Sequence, residues 1–282
     1  MTEGQQVEAN YNVCFVLDTS GSMDDKVGDE PAWWLPDNRQ TRLEVAVDSI
    51  ENFVDSSIHN GDFVGTVNLA VVPFASDASE YGSTIGVSIT RVSDGHGGYT
   101  ETYTLGNQTY RNYHAFSTAF HNRLNALEAD GGTNYEAGFL KAAEWFEQLG
   151  DTSDADGNIT YFLSDGKPTY NDTFGNPSRN TGSRTDKEDV QGAWHGYQEL
   201  LGSASGMQVN AIGFGGDLDK NAMKTLAMLD NTGTPIAGVA GNQTADGTLY
   251  YDGGQWPPTT GTTTGGNATQ VTNGEVNFLK FP

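Results

Sequence analysis

The chain is poor in cysteine. Cys14 is the only one in 282 residues, so no disulfide can form within it and no cysteine-based zinc site can be built. Lying inside the apolar run VCFVL, Cys14 reads as a small buried hydrophobe. Basic residues are also scarce: Lys and Arg number 14 against 37 Asp and Glu, a formal charge of -23. Such a surface repels phosphate backbones and anionic membranes, and nucleic-acid binding is not expected. No stretch approaches the ~20 apolar residues of a membrane-spanning helix, and the start, MTEGQQVEAN, lacks the basic-then-apolar plan of a signal peptide. Membrane insertion is therefore not expected either. Catalytic signatures are missing as well. There is no Walker loop or GxSxG elbow, and a phosphoaspartate enzyme would want a second aspartate where Ser20 stands. His59, His96, His114, His121 and His195 show no HExxH or other close zinc spacing, which favours surface or packing roles for each. With no nucleophile and base in evidence, the chain is not expected to be an enzyme.

What is present is glycine, 36 residues of it, with many Thr, Asn and Ser. This composition resembles exported bacterial surface proteins more than cytosolic enzymes. Apolar runs at 12–17, 67–75, 159–163 and 209–214 predict buried strands. Between them, steps of three and four predict helices at 42–58, 116–127, 135–149, 190–201 and 218–229, the first with Thr41 as its cap. Residues 87–92 and 99–105 predict a hairpin-like edge, and the tyrosines of 93–113 read as strand packing. Alternation of this kind predicts an α/β fold, a doubly wound, mostly parallel central sheet with helices on both faces. Ligands of such folds sit beyond the carboxyl ends of the strands. The polar loops 24–41, 164–189 and 76–86 are expected to gather there. Beyond about residue 235 the pattern fades into Gly, Thr, Asn and Pro, expected as an extension wrapping the domain or as a linker.

Immediately past the first strand, Asp18, Ser20 and Ser22 fall at i, i+2 and i+4. In a tight loop this spacing lets one carboxylate and two hydroxyls converge, an all-oxygen set suited to a hard cation. Thr133 in DGGTN and Asp165 in FLSDG supply two further candidate oxygen ligands, each beside glycines. A bare helix-capping cluster would explain DTSGS but not Thr133 and Asp165 together.

These five residues, in this order and with strands before the first and last, resemble the metal-ion-dependent adhesion site of von Willebrand factor A domains. The resemblance covers roughly residues 11–235 and implies a Rossmann-like three-layer sandwich. It further implies that one divalent cation, Mg²⁺, Mn²⁺ or Ca²⁺, is bound directly by Ser20 and Ser22. Asp18 and Asp165 would act largely through waters, and Thr133 directly or through water. One coordination position would remain for an acidic group of a partner, captured because few carboxylates touch the metal and leave it electrophilic.

Against a minimal domain of that family, residues 24–41, 82–115 and 168–189 read as insertions into a domain spanning 12–235, with 1–11 as a lead-in and 236–282 as the extension. Trp33 and Trp34 read either as an aromatic platform for a ligand or as a lid packed on the domain. Tyr170 lies on the loop expected to border the site. Asp24 and Asp25 form either a second cation site or a solvated acidic loop; in integrin β-subunit domains of this family the acidic pair falls one position later. Asp151, Asp154 and Asp156 resemble a calcium loop, but Leu163 stands where the closing glutamate of an EF-hand belongs, so an exposed turn is the other reading.

The resemblance points to a cation-dependent, ligand-binding module of a bacterial cell-surface adhesin of the repeats-in-toxin type. It would be extracellular, monomeric and exported by a signal outside the domain. Its expected partner is a protein or peptide presenting an acidic group, with a surface polymer second. The alternative is an intracellular interaction subunit that docks an AAA-ATPase or metal chelatase.

Overall fold

Strands that are apolar on both faces have to be covered on both sides, and the chain folds to do so. The computed structural model describes residues 7–32, 34–61, 63–78, 83–96, 98–174, 184–216, 218–232, 242–258, 265–272 and 278. Its strands are β1 (Val7–Glu8), β2 (Tyr11–Asp18), β3 (Phe63–Phe74), β4 (Ile85–Ser93), β5 (Tyr99–Leu105) and β6 (Gln108–Tyr110). Then come β7 (Gly157–Ser164), β8 (Gln208–Phe214), β9 (Asn242–Thr244), β10 (Leu249–Tyr251), β11 (Gly254–Trp256) and β12 (Asn267–Val271). The main sheet runs β6-β5-β4-β3-β2-β7-β8-β12-β9, with β1 beside β3. The stretch from β3 to β12 is parallel throughout, while β4 to β6 and β9 add antiparallel edges.

Alternation along β2 divides the core. Val13, Phe15 and Leu17 face α1 (Arg42–Phe53) and α2 (Tyr113–Leu124), whereas Cys14 and Val16 face α3 (Tyr135–Gln148), α4 (Lys187–Ser203) and α5 (Lys220–Met228). The α/β fold, doubly wound with helices on both faces, is thus the observed one. Cys14 is fully buried, and burial raises its thiol pKa.

A twelve-residue helix such as α1 is marginal by itself. Burying Leu43, Val47, Ile50 and Phe53, at roughly 1.5–3 kcal/mol each, outweighs that deficit. Its start is set by a capping box: Glu44 N donates to Thr41 Oγ1, and Thr41 N donates back to Glu44 Oε2. The helical run expected to reach residue 58 changes to a π-helical turn at Val54–His59. Among the described residues no helix is long and apolar enough to cross a membrane.

Beyond residue 235 the described residues add strands to the main sheet. β12 pairs in parallel with β8, aligning Thr269 with Ile212, and β9 closes that edge. Phe278 enters the core beside Phe15 and Tyr161, with ring centroids 4.9 Å and 4.6 Å away. Three-residue strands interrupted by Gly and Pro carry too little periodicity to be read from sequence.

Candidate metal centre

The chain runs from β2 through α1 to β3 on one side, and later places β7 on the other side of β2. Connections diverge at this point, which leaves a crevice at the carboxyl ends of β2 and β7. Asp18 is the last residue of β2 and Ser164 the last of β7, with Asp165 directly after it. The sequence positions therefore meet because of strand order.

Asp18 is fully buried; its Oδ1 accepts from Ser20 N at 2.8 Å and its Oδ2 from Ser164 Oγ at 2.5 Å. Ser20 and Ser22 follow in a tight 3-10 turn (Gly21–Asp24), and their Oγ atoms lie 3.2 Å apart. Ser22 Oγ donates to Asp165 Oδ1 at 2.8 Å, joining the two loops across 143 residues of sequence. Thr133 is brought alongside by backbone. Gly21 N donates to Gly131 O, Asp130 N donates to Thr19 O, and Thr133 itself is clamped by Thr169 N, Tyr170 N and Thr169 Oγ1. Gly132 makes this approach possible: a Cβ there would lie 2.0 Å from Tyr170 Cε2.

The donor set suits a hard cation. Neighbouring oxygens around an octahedral Mg²⁺ with 2.0–2.1 Å bonds are about 3 Å apart. The Ser20–Ser22 and Ser22–Asp165 separations, 3.2 Å and 2.8 Å, straddle that value. Among the described residues no cluster of three His, Cys, Asp or Glu side chains could hold a metal; this site differs in being half hydroxyl.

The electrostatics are lopsided. Burial pushes the Asp18 carboxyl up to about 7, the charge of Asp165 adds to this, and hydrogen bonds from Ser164 and Ser20 oppose it. Burial likewise raises Asp165, against the lowering effect of Arg42 and Ser22. Tyr135 OH lies 2.9 Å from Ser164 Oγ and 2.6 Å from Gly166 O, extending the run of hydrogen bonds from Asp18 through Ser164 to Gly166.

Sequence reasoning did not single out Arg42, Ser164, Tyr135 or Thr169. Arg42 is buried, and its Nη1 donates to Asp165 Oδ2 at 2.6 Å. A signal existed: a cation in the first turn of a helix opposes the helix dipole and calls for an anion nearby. Glu136, also unmarked, anchors the loop after Thr169. It is buried in the first turn of α3 and accepts from Asp172 N, Thr173 N and His195 Nδ1.

The remaining candidates stand apart. Asp24 and Asp25 are exposed, and Asp25 Oδ2 lies 3.7 Å from Arg42 Nη1. They line a cleft of about 770 Å³ with Asp29, Glu30 and Arg39, formed by the loop after β2 and the ends of β8 and β12. Asp151 accepts from Ser153 N and Asp156 from Asn10 N, while Asp154 is exposed. The structure does not gather these three carboxylates around one point. Trp34 is exposed, Tyr170 is half-buried against Gly132, and Trp33 lies outside the described residues.

No family model matches the chain, and no curated protein matches it. Among solved structures, a von Willebrand factor type A protein from Catenulispora acidiphila is similar at 16% identity, over 79% of this chain and 37% of that one, with a TM-score of 0.44. The pilus adhesin SpaC from Lactobacillus rhamnosus GG is similar at 18% identity, over 81% of this chain and 28% of that one, with a TM-score of 0.48. The vWF domain of the type V pili tip protein Mfa5 from Porphyromonas gingivalis is similar at 15% identity, over 79% of this chain and 87% of that one, with a TM-score of 0.45. This chain thus spans well under two thirds of the first two proteins.

Proposed function

We propose that the chain is a divalent-cation-dependent ligand-binding domain of a bacterial surface adhesin, a monomeric extracellular module without catalytic activity. Mg²⁺, Mn²⁺ or Ca²⁺ would be held by Ser20, Ser22 and Thr133, with Asp18 and Asp165 behind them. When bound, the cation supplies a Lewis-acidic position for a carboxylate of a protein or peptide partner. A surface polymer with acidic groups is the second candidate. The protein's own part is to fix the hydroxyls and to keep the two carboxylates buried, so that little negative charge reaches the open side of the site.

The observation that carries this reading is the run of oxygens from Ser20 through Ser22 to Asp165, beside Asp18 at the strand-order reversal, with Ser20–Ser22 and Ser22–Asp165 spacings that suit an octahedral cation. The adhesin setting rests on the acidic, glycine-rich composition and on the resemblance of the five residues to the adhesion site. A synthetic peptide array, probed with and without chelator, tests it. Peptides retained in Mg²⁺ are expected to be enriched in Asp and Glu, and to be lost with EDTA and with Asp18→Asn. Retention indifferent to chelator would contradict the reading.

A further inference from the structure

The residue least explained by helix or core is Arg42. As the first residue of α1 it sits at the positive end of the helix dipole, an unfavourable place for a guanidinium. It is nevertheless buried, with Nη1 at 2.6 Å from Asp165 Oδ2. Its backbone N donates to Asp25 O at 2.9 Å, which holds the two residues together, and Asp25 Oδ2 lies 3.7 Å from the same Nη1. The guanidinium therefore stands between the buried carboxylate of the candidate site and an exposed one outside it. Its burial is tolerated because Asp165 is there, and that of Asp165 because Arg42 is.

We propose that Arg42 is a positioning residue that competes with the divalent cation for Asp165, keeping cation affinity low until an external carboxylate joins the site. This rests on the proposed function above. The charge count gives the reason. A divalent cation beside Asp18, Asp165 and Arg42 leaves one positive charge uncompensated among low-dielectric walls, and a partner carboxylate cancels it. Cation and partner then bind cooperatively, each raising the affinity of the other by the same factor. Asp25 is the alternative seat for the guanidinium when the cation claims Asp165.

Mn²⁺ calorimetry on the full chain, with and without acetate as the carboxylate probe, tests the proposal. Arg42→Gln is expected to bind Mn²⁺ at least about tenfold more tightly than the wild type and to lose most of the acetate effect. Arg42→Lys, which keeps the charge, should stay within about threefold of the wild type. Asp25→Asn removes the alternative seat; it should weaken Mn²⁺ binding several-fold in the wild type and much less in Arg42→Gln. Arg42→Gln should also melt early in EDTA, as loss of a buried ion pair requires; the readout that a purely structural role would not share is the lost response of Mn²⁺ affinity to acetate. Folded Arg42→Gln that binds Mn²⁺ no more tightly than the wild type would overturn the proposal. If that variant does not fold, an Asp25→Asn affinity equal to the wild type overturns it. Absence of Mn²⁺ binding in the wild type would instead overturn the proposed function and this inference with it.

Discussion

The carboxylate of Asp18 and the hydroxyl of Ser164 meet at 2.5 Å across two adjacent parallel strands, each at the last residue of its strand. That contact joins the first oxygen of the candidate site to the strand that delivers the last. Tyr135 extends it, since its OH reaches both Ser164 Oγ and Gly166 O. The site is thereby tied to the rigid centre of the sheet as well as to its loops.

Removing the tie should loosen the cation. Ser164→Ala leaves Asp18 Oδ2 without its hydroxyl partner, and loss of a group that orients a ligand typically lowers metal affinity about 10–100-fold. Tyr135→Phe acts one bond further away and should have a smaller effect. Titration with Mn²⁺ checks both; unchanged affinity in Ser164→Ala would show that Asp18 is positioned by other means.

Acidity should compete with the cation. Burial lifts the Asp18 carboxyl from 3.8 to about 7, so the fold favours its neutral form. Without divalent cations, the stability that this group contributes is fully present below about pH 3.8 and is lost as pH rises through 7. Cation binding must expel that proton, so affinity should climb by up to about tenfold per pH unit below 7 and level off above it. Asp18→Asn should flatten the metal-free stability profile between pH 5 and 8. Calorimetry and thermal melts across that range measure both; a wild-type affinity independent of pH would contradict the assignment.

The C-terminal region should behave as part of the domain. Phe278 packs against Phe15, Phe53 and Tyr161, and Phe278→Ala should destabilise by about 3–5 kcal/mol. A chain ended after residue 235 also lacks β12 and exposes the edge of β8, so it should fail to fold cooperatively. Denaturant unfolding followed by circular dichroism distinguishes these outcomes from a dispensable tail.

Much of this was legible because two periodicities are strong. The runs that became β2, β3, β7 and β8 are apolar on both faces, and a strand buried on both sides has few alternatives. Asp18, Ser20, Ser22 and Asp165 were legible because chemistry and strand ends coincided. Arg42 was less so: its place in the first turn of α1 calls for an anion nearby, but nothing in helical periodicity points to Asp165, 123 residues away. Tyr135 and Ser164 were hidden by their setting at the start of α3 and the end of β7, where pattern reading counts them with the helix and the strand. Residues 267–271 were masked by their Gly and Thr surroundings, and only their pairing with β8 reveals a strand.

The central claim is that these oxygens hold one divalent cation. Mn²⁺ binding followed by electron paramagnetic resonance tests it directly, in the wild type and in the Ser20→Ala plus Ser22→Ala double variant, with folding checked by circular dichroism. One Mn²⁺ per wild-type chain and none in the folded variant is the predicted result; equal Mn²⁺ binding by both proteins, or none by the wild type, would contradict it.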